Sequence, residues 1–291
     1  MKVALATCLR PPQEDFDAPP LLAALAARGH RADVRAWDDP GVDWRAYDAV
    51  LLRSTWDYFH RLEAFLGWAQ GVASVSRLWN PLAVVKWNTH KFYLRALAAR
   101  GVPIVPTEFV PAGRSVDLAA ILAAHAWDAA VIKPAVSADS FATLRTERQS
   151  PNDGQTHLEA HLPARDMLVQ RYLPTVDEPG ERCLVFIDGV YSHAVRKHSL
   201  FRGGRHAGPE GVPVLADADE IATAQRALES MGLGVPLYAR VDLLRDESGT
   251  PRLMELELVE PSLFLTVRDD AAGALVEALE RRVAGARIVG T

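Results

Sequence analysis

The residues that most directly suggest chemistry are charged side chains on two short segments, Tyr238-Ala239-Arg240-Val241-Asp242-Leu243-Leu244 and Leu253-Met254-Glu255-Leu256-Glu257-Leu258-Val259-Glu260. In an extended strand alternate residues share a face. Arg240 and Asp242 therefore point one way, and so do Glu255 and Glu257, while Ala239, Val241, Leu243, Met254, Leu256 and Leu258 take the opposite faces. A hairpin centred between Ser248 and Gly249 sets Asp242 opposite Glu255 and Arg240 opposite Glu257; a bulge would move that register by one. Carboxylates set opposite one another repel unless a cation lies between them. Oxygen ligands without His or Cys suit Mg²⁺, which takes one or two carboxylates together with phosphate oxygens. On this reading Asp242, Glu255 and Glu257 are metal ligands and Arg240 meets a phosphate. The same alternation also describes an edge hairpin with a solvated acidic face, and the pattern alone leaves both readings open.

Lys133 closes the apolar run Ala130-Val131-Ile132 just before Pro134 and a polar loop, Ser137–Phe141. From a strand end it can neutralise phosphate as a point cation, or simply snorkel to the surface. The same choice applies to Lys91 on the helix after Asn88. Two further clusters bear on a substrate. Arg53-Ser54-Thr55-Trp56-Asp57-Tyr58 follows a buried strand, where open α/β sheets bind ligands; Arg53 suits a carboxylate, and Ser54, Thr55 and Asp57 suit an amino group. A capped turn with a packed Trp is the alternative. In His193-Ala194-Val195-Arg196-Lys197-His198-Ser199, Arg196 and Lys197 can polarise an acyl group, whereas His193 reads equally as a satisfied sheet residue. Arg202-Gly203-Gly204-Arg205 reads as a loop able to close over a site.

The elements that must position these residues come in three blocks. Val3–Thr7, Ala32–Trp37 and Ala49–Arg53 read as strands alternating with helices at Pro19–Arg28 and His60–Val72, a parallel α/β pattern. The first strand-to-helix turn has no GxGxxG, so a dinucleotide fold is not supported. Next come a helix capped by Asn88 or Thr89 and ended by Gly101, an extended Val102–Thr107, a helix at Ser115–His125, strands at Ala130–Lys133 and Met167–Tyr172, and a helix at Thr156–His161. From Glu181 onward the signals are antiparallel. Asp188-Gly189 is a hairpin turn between Arg182–Ile187 and Tyr191–Val195, and helices at Asp217–Met231 and Asp269–Ala284 flank the carboxylate hairpin. The expected units are 1–85, 86–169 and 170–291.

Bulk properties narrow the partners. Of 291 residues 49% are apolar and 24% charged, enough for a sizeable core. The net charge of −5 without a basic stripe argues against nucleic acid. Two distant cysteines, Cys8 and Cys183, exclude a disulfide framework and point to a reducing compartment, the cytoplasm. No run of 18 apolar residues is present to cross a membrane, and Met1–Thr7 reads as a strand rather than a leader.

Lys91, Ile132-Lys133-Pro134, the polar loop, Leu168-Val169-Gln170-Arg171-Tyr172-Leu173-Pro174, Gly180-Glu181, Arg240-Val241-Asp242 and Glu255-Leu256-Glu257 follow one another in an order that resembles the ATP-grasp superfamily, within it the prokaryotic glutathione-synthetase-like branch. The resemblance covers about residues 80–265. It implies an α/β (α+β ATP-grasp) fold, with an N-terminal parallel α/β domain and two α+β subdomains sandwiching ATP. It also implies that Lys91 and Lys133 contact adenine and the α/β-phosphates, that Ser140 lies in the phosphate-covering loop, that Gln170, Arg171 and Leu173 form the adenine-reading hinge, and that Glu181 holds the ribose. Asp242, Glu255 and Glu257 would ligate Mg²⁺, as two ions, beside the catalytic Arg240, Arg196 and Lys197. Two departures stand out: the loop after Pro134 lacks the family's glycines, and Glu257 replaces a frequent Asn.

The Arg53–Asp57 and His193–Ser199 stretches and Leu253–Ser262 are similar to those of ATP-grasp ligases that close the cycloserine ring from O-ureido-D-serine. The implied function is Mg-ATP-dependent carboxylate–amine ligation through an acyl phosphate on a small amino-acid-like substrate, with Arg53, Ser54, Thr55, Asp57 and His193 on the substrate. An intermolecular dipeptide or glutathione-type ligase, a silent nucleotide-binding regulator and a hydroxyl phosphotransferase are the alternatives; the last lacks a P-loop and kinase elements. A homodimer is compatible with the resemblance.

Overall fold

The computed structural model describes residues 1–197 and 211–288. His198, Ser199 and the Arg202–Arg205 loop lie outside the described residues. The chain builds three sheets in sequence. The first is parallel, in order β2-β1-β3-β4, from β1 (Lys2–Thr7), β2 (Arg31–Ala36), β3 (Ala49–Ser54) and β4 (Arg77–Trp79). Central β3 is buried along its whole length, through its apolar run Ala49–Leu52 and on through Arg53 and Ser54. Helix α1 (Ala18–Ala27) opens with proline in its first turn, and Gly29 follows its end at φ +76°, a left-handed conformation that a side chain would strain. Its buried Leu21 and Leu25 pack in one core with Leu275 and Leu279 of the closing helix α8 (Ala271–Ile288). Helix α2 (Leu62–Val75) covers the sheet's other face with Phe65, Ala69 and Val72.

The region after β4 departs from expectation. A single helix from Asn88 to Arg100 was the sequence reading; two short ones form, α3 (Leu82–Asn88) and α4 (Tyr93–Ala99). Asn88 is the last residue of α3 and caps nothing. Its amide is committed elsewhere, as shown below.

The second sheet is antiparallel, in order β5-β8-β6-β7, from β5 (Thr107–Val110), β6 (Ala129–Pro134), β7 (Leu144–Glu147) and β8 (Met167–Arg171). Helices α5 (Leu118–Ala124) and α6 (Asn152–His161) pack on it through Leu118, Leu122 and Leu158. Strands β5 and β7 were not foreseen: β5 is hidden behind the prolines before it, and the charged, half-exposed β7 carries no apolar alternation.

The third sheet, also antiparallel, runs β11-β10-β9-β12-β13, from β9 (Glu181–Ile187), β10 (Val190–Lys197), β11 (Val212–Val214), β12 (Tyr238–Arg245) and β13 (Pro251–Glu257). Helix α7 (Ala218–Glu229) lies against β12 and β13, its start fixed by a reciprocal Asp217–Glu220 capping box. Strand β13 is an edge, and an edge leaves backbone groups to satisfy. Side chains do so. Asn88 donates to the Leu256 carbonyl and accepts from the Leu258 N–H, both at 2.8 Å. The Tyr93 hydroxyl donates to the Leu256 carbonyl and accepts from its N–H. Buried Asn80 ties β4 to the third sheet through Leu237, Tyr238 and Leu258. Among the described residues no helix is long and apolar enough to cross a membrane.

Candidate active site

A cavity of about 1040 Å³ lies between the second and third sheets. Its floor and roof come from Val131 and Lys133 of β6, Gln170 and Arg171 of β8, Glu181 of β9, Lys197 of β10, and both strands of the β12–β13 hairpin. That volume is at the upper end of small-molecule sites, ~300–1,000 Å³. Apolar Val131, Leu173, Leu244 and Met254 face charged groups across it, a division suited to a nucleotide's base and phosphates.

The hairpin register at the functional end pairs Arg240 with Glu257 and Asp242 with Glu255. The bulge falls between Asp242 and Leu243, so only the turn-proximal residues are displaced. Each carboxylate has a cation against it. The Arg240 guanidinium donates to Asp242 at 2.8 and 2.9 Å and also to Glu257. Glu255 lies 3.2 Å from the Lys91 ammonium and 3.5 Å from that of Lys133. Lys91 is held by the Ser137 carbonyl at 2.6 Å, and its own N–H donates to Ala135, so it sits in a tight turn before α4 rather than on an exposed helical face.

Burial raises the proton affinity of all three carboxyls, and the neighbours then separate them. Lys91 and Lys133 bring Glu255 below its ordinary value, and Arg240 and Lys197 do the same for Asp242. For Glu257, burial with Asp242 and Glu255 outweighs Arg240, and its value rises. Burial and the Asp242 carboxylate raise Glu181 to about 7. Burial and Arg240 oppose the charge on Lys197, but Cys183, Glu181 and Asp242 carry its value upward, so it stays cationic.

The oxygen donor set fits a hard divalent cation. The predicted three carboxylates share one face, yet they do not converge; the described ligand atoms that lie within 4.8 Å of one another belong to Glu181, Cys183 and Asp242. Arg240 and the two lysines hold the three apart. Burial pushes the Cys183 thiol well above its ordinary value and it donates to Glu181 at 3.3 Å, so Cys183 is a poor ligand for such an ion. Glu181, expected at a ribose, lies against Asp242.

The loop after Pro134 lacks glycine but adopts the backbone glycine would favour. Asp139, Ser140 and Ala142 have φ of 47°, 54° and 50°. Non-glycine residues pay for this conformation in strain, which concentrates at ligand-binding loops. Ser137, Ser140 and Thr143 line the cavity there. At the hinge, Gln170 donates to the Thr107 hydroxyl at 3.0 Å and Arg171 pairs with Glu247 at 2.7 Å, while Leu173 lines the wall.

The predicted substrate residues fall elsewhere. Arg53, Ser54, Thr55, Asp57, His193 and Arg196 are not on the cavity wall. Arg53 is 1% exposed and pairs with Asp17 at 2.9 Å. Ser54 donates to Thr7, and Thr55 is buried. Asp57 accepts from the Trp37 indole and Arg61. Both His193 nitrogens are engaged, by the Leu263 carbonyl and the Ser192 hydroxyl, and burial lowers its proton affinity. Arg196 and Lys197 are neighbours on β10, so alternation sends only one of them, Lys197, to the cavity. The right segment was chosen after β3, but Trp56 and Tyr58 are its wall residues. Glu260, Tyr93 and the scaffold Asp17 were also missed; Asp17 lies in a loop with no periodicity to mark it.

Two antiparallel sheets clasping a nucleotide-sized cavity, with a carboxylate hairpin and buried lysines at one end, define an ATP-dependent ligase of the ATP-grasp class. Residues 3–80 match the family described as D-cycloserine synthetase DcsG, N-terminal domain. The cycloserine biosynthesis protein DcsG of Streptomyces lavendulae is 38% identical over 289 residues, which cover 92% of this chain and 94% of that protein. The crystal structure of D-cycloserine synthetase DcsG superposes with a TM-score of 0.89 at 37% identity, covering 97% of this chain and all (100%) of that one. D-alanine–D-alanine ligase from Bacillus anthracis shares the fold, with a TM-score of 0.69 at 13% identity over 100% of this chain and 99% of its own. The chain belongs to the DcsG family of ATP-grasp ligases.

Proposed function

We propose that this enzyme uses Mg-ATP to activate the carboxylate of O-ureido-D-serine and closes the cycloserine ring by attack of the substrate's own nitrogen. The observation that carries the reading is the Arg240–Asp242–Glu255–Glu257 face at one end of a nucleotide-sized cavity, in a member of the DcsG family. The substrate carboxylate oxygen bonds to the γ-phosphorus and ADP leaves; the nitrogen then bonds to the carbonyl carbon and phosphate leaves. Two Mg²⁺ ions held by Asp242, Glu255 and Glu257 would supply charge neutralisation across the phosphates. Lys133 and Lys91 hold phosphate oxygens, and Ser140 covers them from the strained loop. Gln170, Arg171 and Leu173 line the adenine end, and Glu181 serves the ribose hydroxyls. Arg240 and Lys197 stabilise the charge that develops on the transferring group, so catalysis is mainly positioning and electrostatics.

Three units, one to each sheet, remain the proposed organisation, but strand β8 (Met167–Arg171) belongs to the second sheet, so the boundary expected at 169/170 moves to after Arg171. Two buried free cysteines suit a reducing cytoplasm, and a homodimer is the assembly to test by sedimentation. The functional test is ADP release across a panel of small amino acids, O-ureido-D-serine included, with and without hydroxylamine. Substrate-dependent ADP release with a trapped hydroxamate is expected for O-ureido-D-serine. Release only with a second amine acceptor would replace ring closure by intermolecular ligation, and ATP binding without release from any compound would make the protein a nucleotide sensor.

A further inference from the structure

Glu260 lines the same cavity, three residues past Glu257, and differs from the other carboxylates of the hairpin. Asp242, Glu255 and Glu257 each face a cation, whereas the Glu260 carboxyl makes no hydrogen bond or ion pair among the described residues. Tyr58, in the helical turn Tyr58–His60, lines the same cavity. It is 4% exposed, yet its hydroxyl has no hydrogen-bond partner among the described residues either. Burial is the main cause of the high proton affinity of Tyr58, with Glu260 the first charge after it, and the indole of Trp56, two residues before Tyr58, donates to the Glu260 carbonyl. One comes from the first block of the chain and the other from the strand end of the third.

Their placement is rigid. The Trp56 indole donates to the Glu260 carbonyl at 3.0 Å, and Arg53 donates to the Pro261 carbonyl at 3.0 Å. Asp17 holds Arg53 and accepts the N–H groups of Leu263 at 2.5 Å and Leu265 at 2.7 Å. A carboxyl fixed this firmly with no counter-charge is costly to ionise. Burial first, and then the Glu257 carboxylate, raises its proton affinity, to about 8, so a cation beside it is needed to hold its charged form near neutral pH. A ligand that supplies both the missing hydrogen bonds and that charge is a cationic N–H donor.

We propose that Glu260 and Tyr58 form the subsite for the α-ammonium group of the amino-acid substrate. This deepens the proposed ligase function and rests on it for the substrate's identity. Glu260 accepts from the ammonium, and the Tyr58 oxygen accepts a second N–H. The assignment also has a chemical consequence. A protonated nitrogen has no lone pair, so an amino group held here cannot attack the activated carboxylate of a second molecule; attack on its own carboxylate is already barred, because it would close a strained three-membered ring. The subsite would thus decide which substrates enter and would suppress intermolecular ligation through the α-nitrogen.

The test is calorimetric binding to the full-length enzyme with a non-hydrolysable ATP analogue and Mg²⁺, which needs no turnover. O-ureido-D-serine and its des-amino analogue are titrated into wild type, Glu260→Gln and Tyr58→Phe, with ADP release measured alongside. Expected for Glu260→Gln is at least about thirtyfold weaker binding of the amino compound, unchanged affinity for the ATP analogue, and no further loss for the des-amino compound. Tyr58→Phe, which removes one oxygen, should weaken the amino compound about fivefold. Equal losses for both compounds, or unchanged binding of the amino compound to Glu260→Gln, would overturn the subsite even if wild type releases ADP. Selective loss on binding in an enzyme that releases no ADP would keep the subsite and remove the ligase reading.

Discussion

Arg53 and Arg240 are both buried, both follow an apolar strand run, and both donate to an aspartate at under 3 Å, yet they belong to different kinds of network. The Arg53 network turns inward onto Asp17 and backbone through one nitrogen, Nη2, while the buried Nε and Nη1 of Arg53 find no partner among the described residues. Asp17 accepts from Arg53 and from two backbone N–H groups, and Arg53 spends a further bond on the Pro261 carbonyl. The Arg240 network opens onto the cavity, where Asp242, Glu257, Lys197 and Glu181 all line the wall. A buried ion pair that closes on backbone fixes geometry, whereas one that faces a cavity leaves charge available to a ligand. The first holds the loop after β13; the second faces the cavity proposed for the nucleotide.

The comparison breaks most easily at its open end. Glu255→Gln removes a proposed metal ligand and the counter-charge of Lys91 and Lys133 together. ADP release should fall by at least about 10³-fold, far beyond any loss of folded protein in urea unfolding that follows because Lys91 and Lys133 also lose their counter-charge. Near-normal turnover would take the hairpin out of the chemistry. At the closed end the readout should invert. Asp17→Asn leaves Arg53 charged and buried without its partner, and stability in urea unfolding should drop by about 3–5 kcal/mol. If stability holds while ATP affinity falls, Arg53 and Asp17 belong to the site after all. A smaller effect distinguishes lysines within the open network. Lys133→Ala should raise the KM for ATP about tenfold to a hundredfold while kcat falls less, since Lys91 still faces Glu255; an unchanged KM would remove Lys133 from nucleotide binding.

The same contrast explains what the sequence could tell. Strand alternation is a local rule, and it located Arg240, Asp242, Glu255 and Glu257 in their correct pairs because the bulge lies beyond them. The Asp188-Gly189 turn and the alternating first block were equally local, and the hairpin at Asp188 and the parallel sheet both formed. Arg53 misled because its use depends on Asp17, 36 positions away, and on a loop more than 200 positions away. Composition cannot distinguish an arginine that grips a ligand from one that grips the fold. Asn88 failed for the same reason: an Asn before a helical run reads as a cap, but its amide satisfies the edge of β13. The glycine-poor loop was read as a departure from the family, and its left-handed backbone at Asp139, Ser140 and Ala142 is visible only in three dimensions.

The turn of the hairpin offers the mildest test. There the Asp246 carboxylate accepts from the Ser248 N–H at 2.9 Å and hydroxyl at 2.6 Å, from the Thr250 N–H at 3.0 Å, and from Arg252 at 2.5 Å. Burial opposes its charge, but the hydrogen bonds from Ser248, Arg252 and Thr250 prevail and hold it down at about 2. A carboxyl whose folded value lies below its unfolded one stabilises the fold above the unfolded value and loses that contribution as pH falls through the folded one. Asp246→Asn should therefore cost about 1–3 kcal/mol near neutral pH, and the difference from wild type should shrink between about pH 4 and 2. ADP release per folded molecule should not change, because Asn88 and Tyr93 fix β13 on the far side of the bulge. A pH-independent stability difference would mean that the carboxylate's charge is not what closes the turn. A loss of activity beyond the loss of fold would mean that the bulge transmits register from the turn to Asp242 and Glu255, and the closed and open networks would then be one.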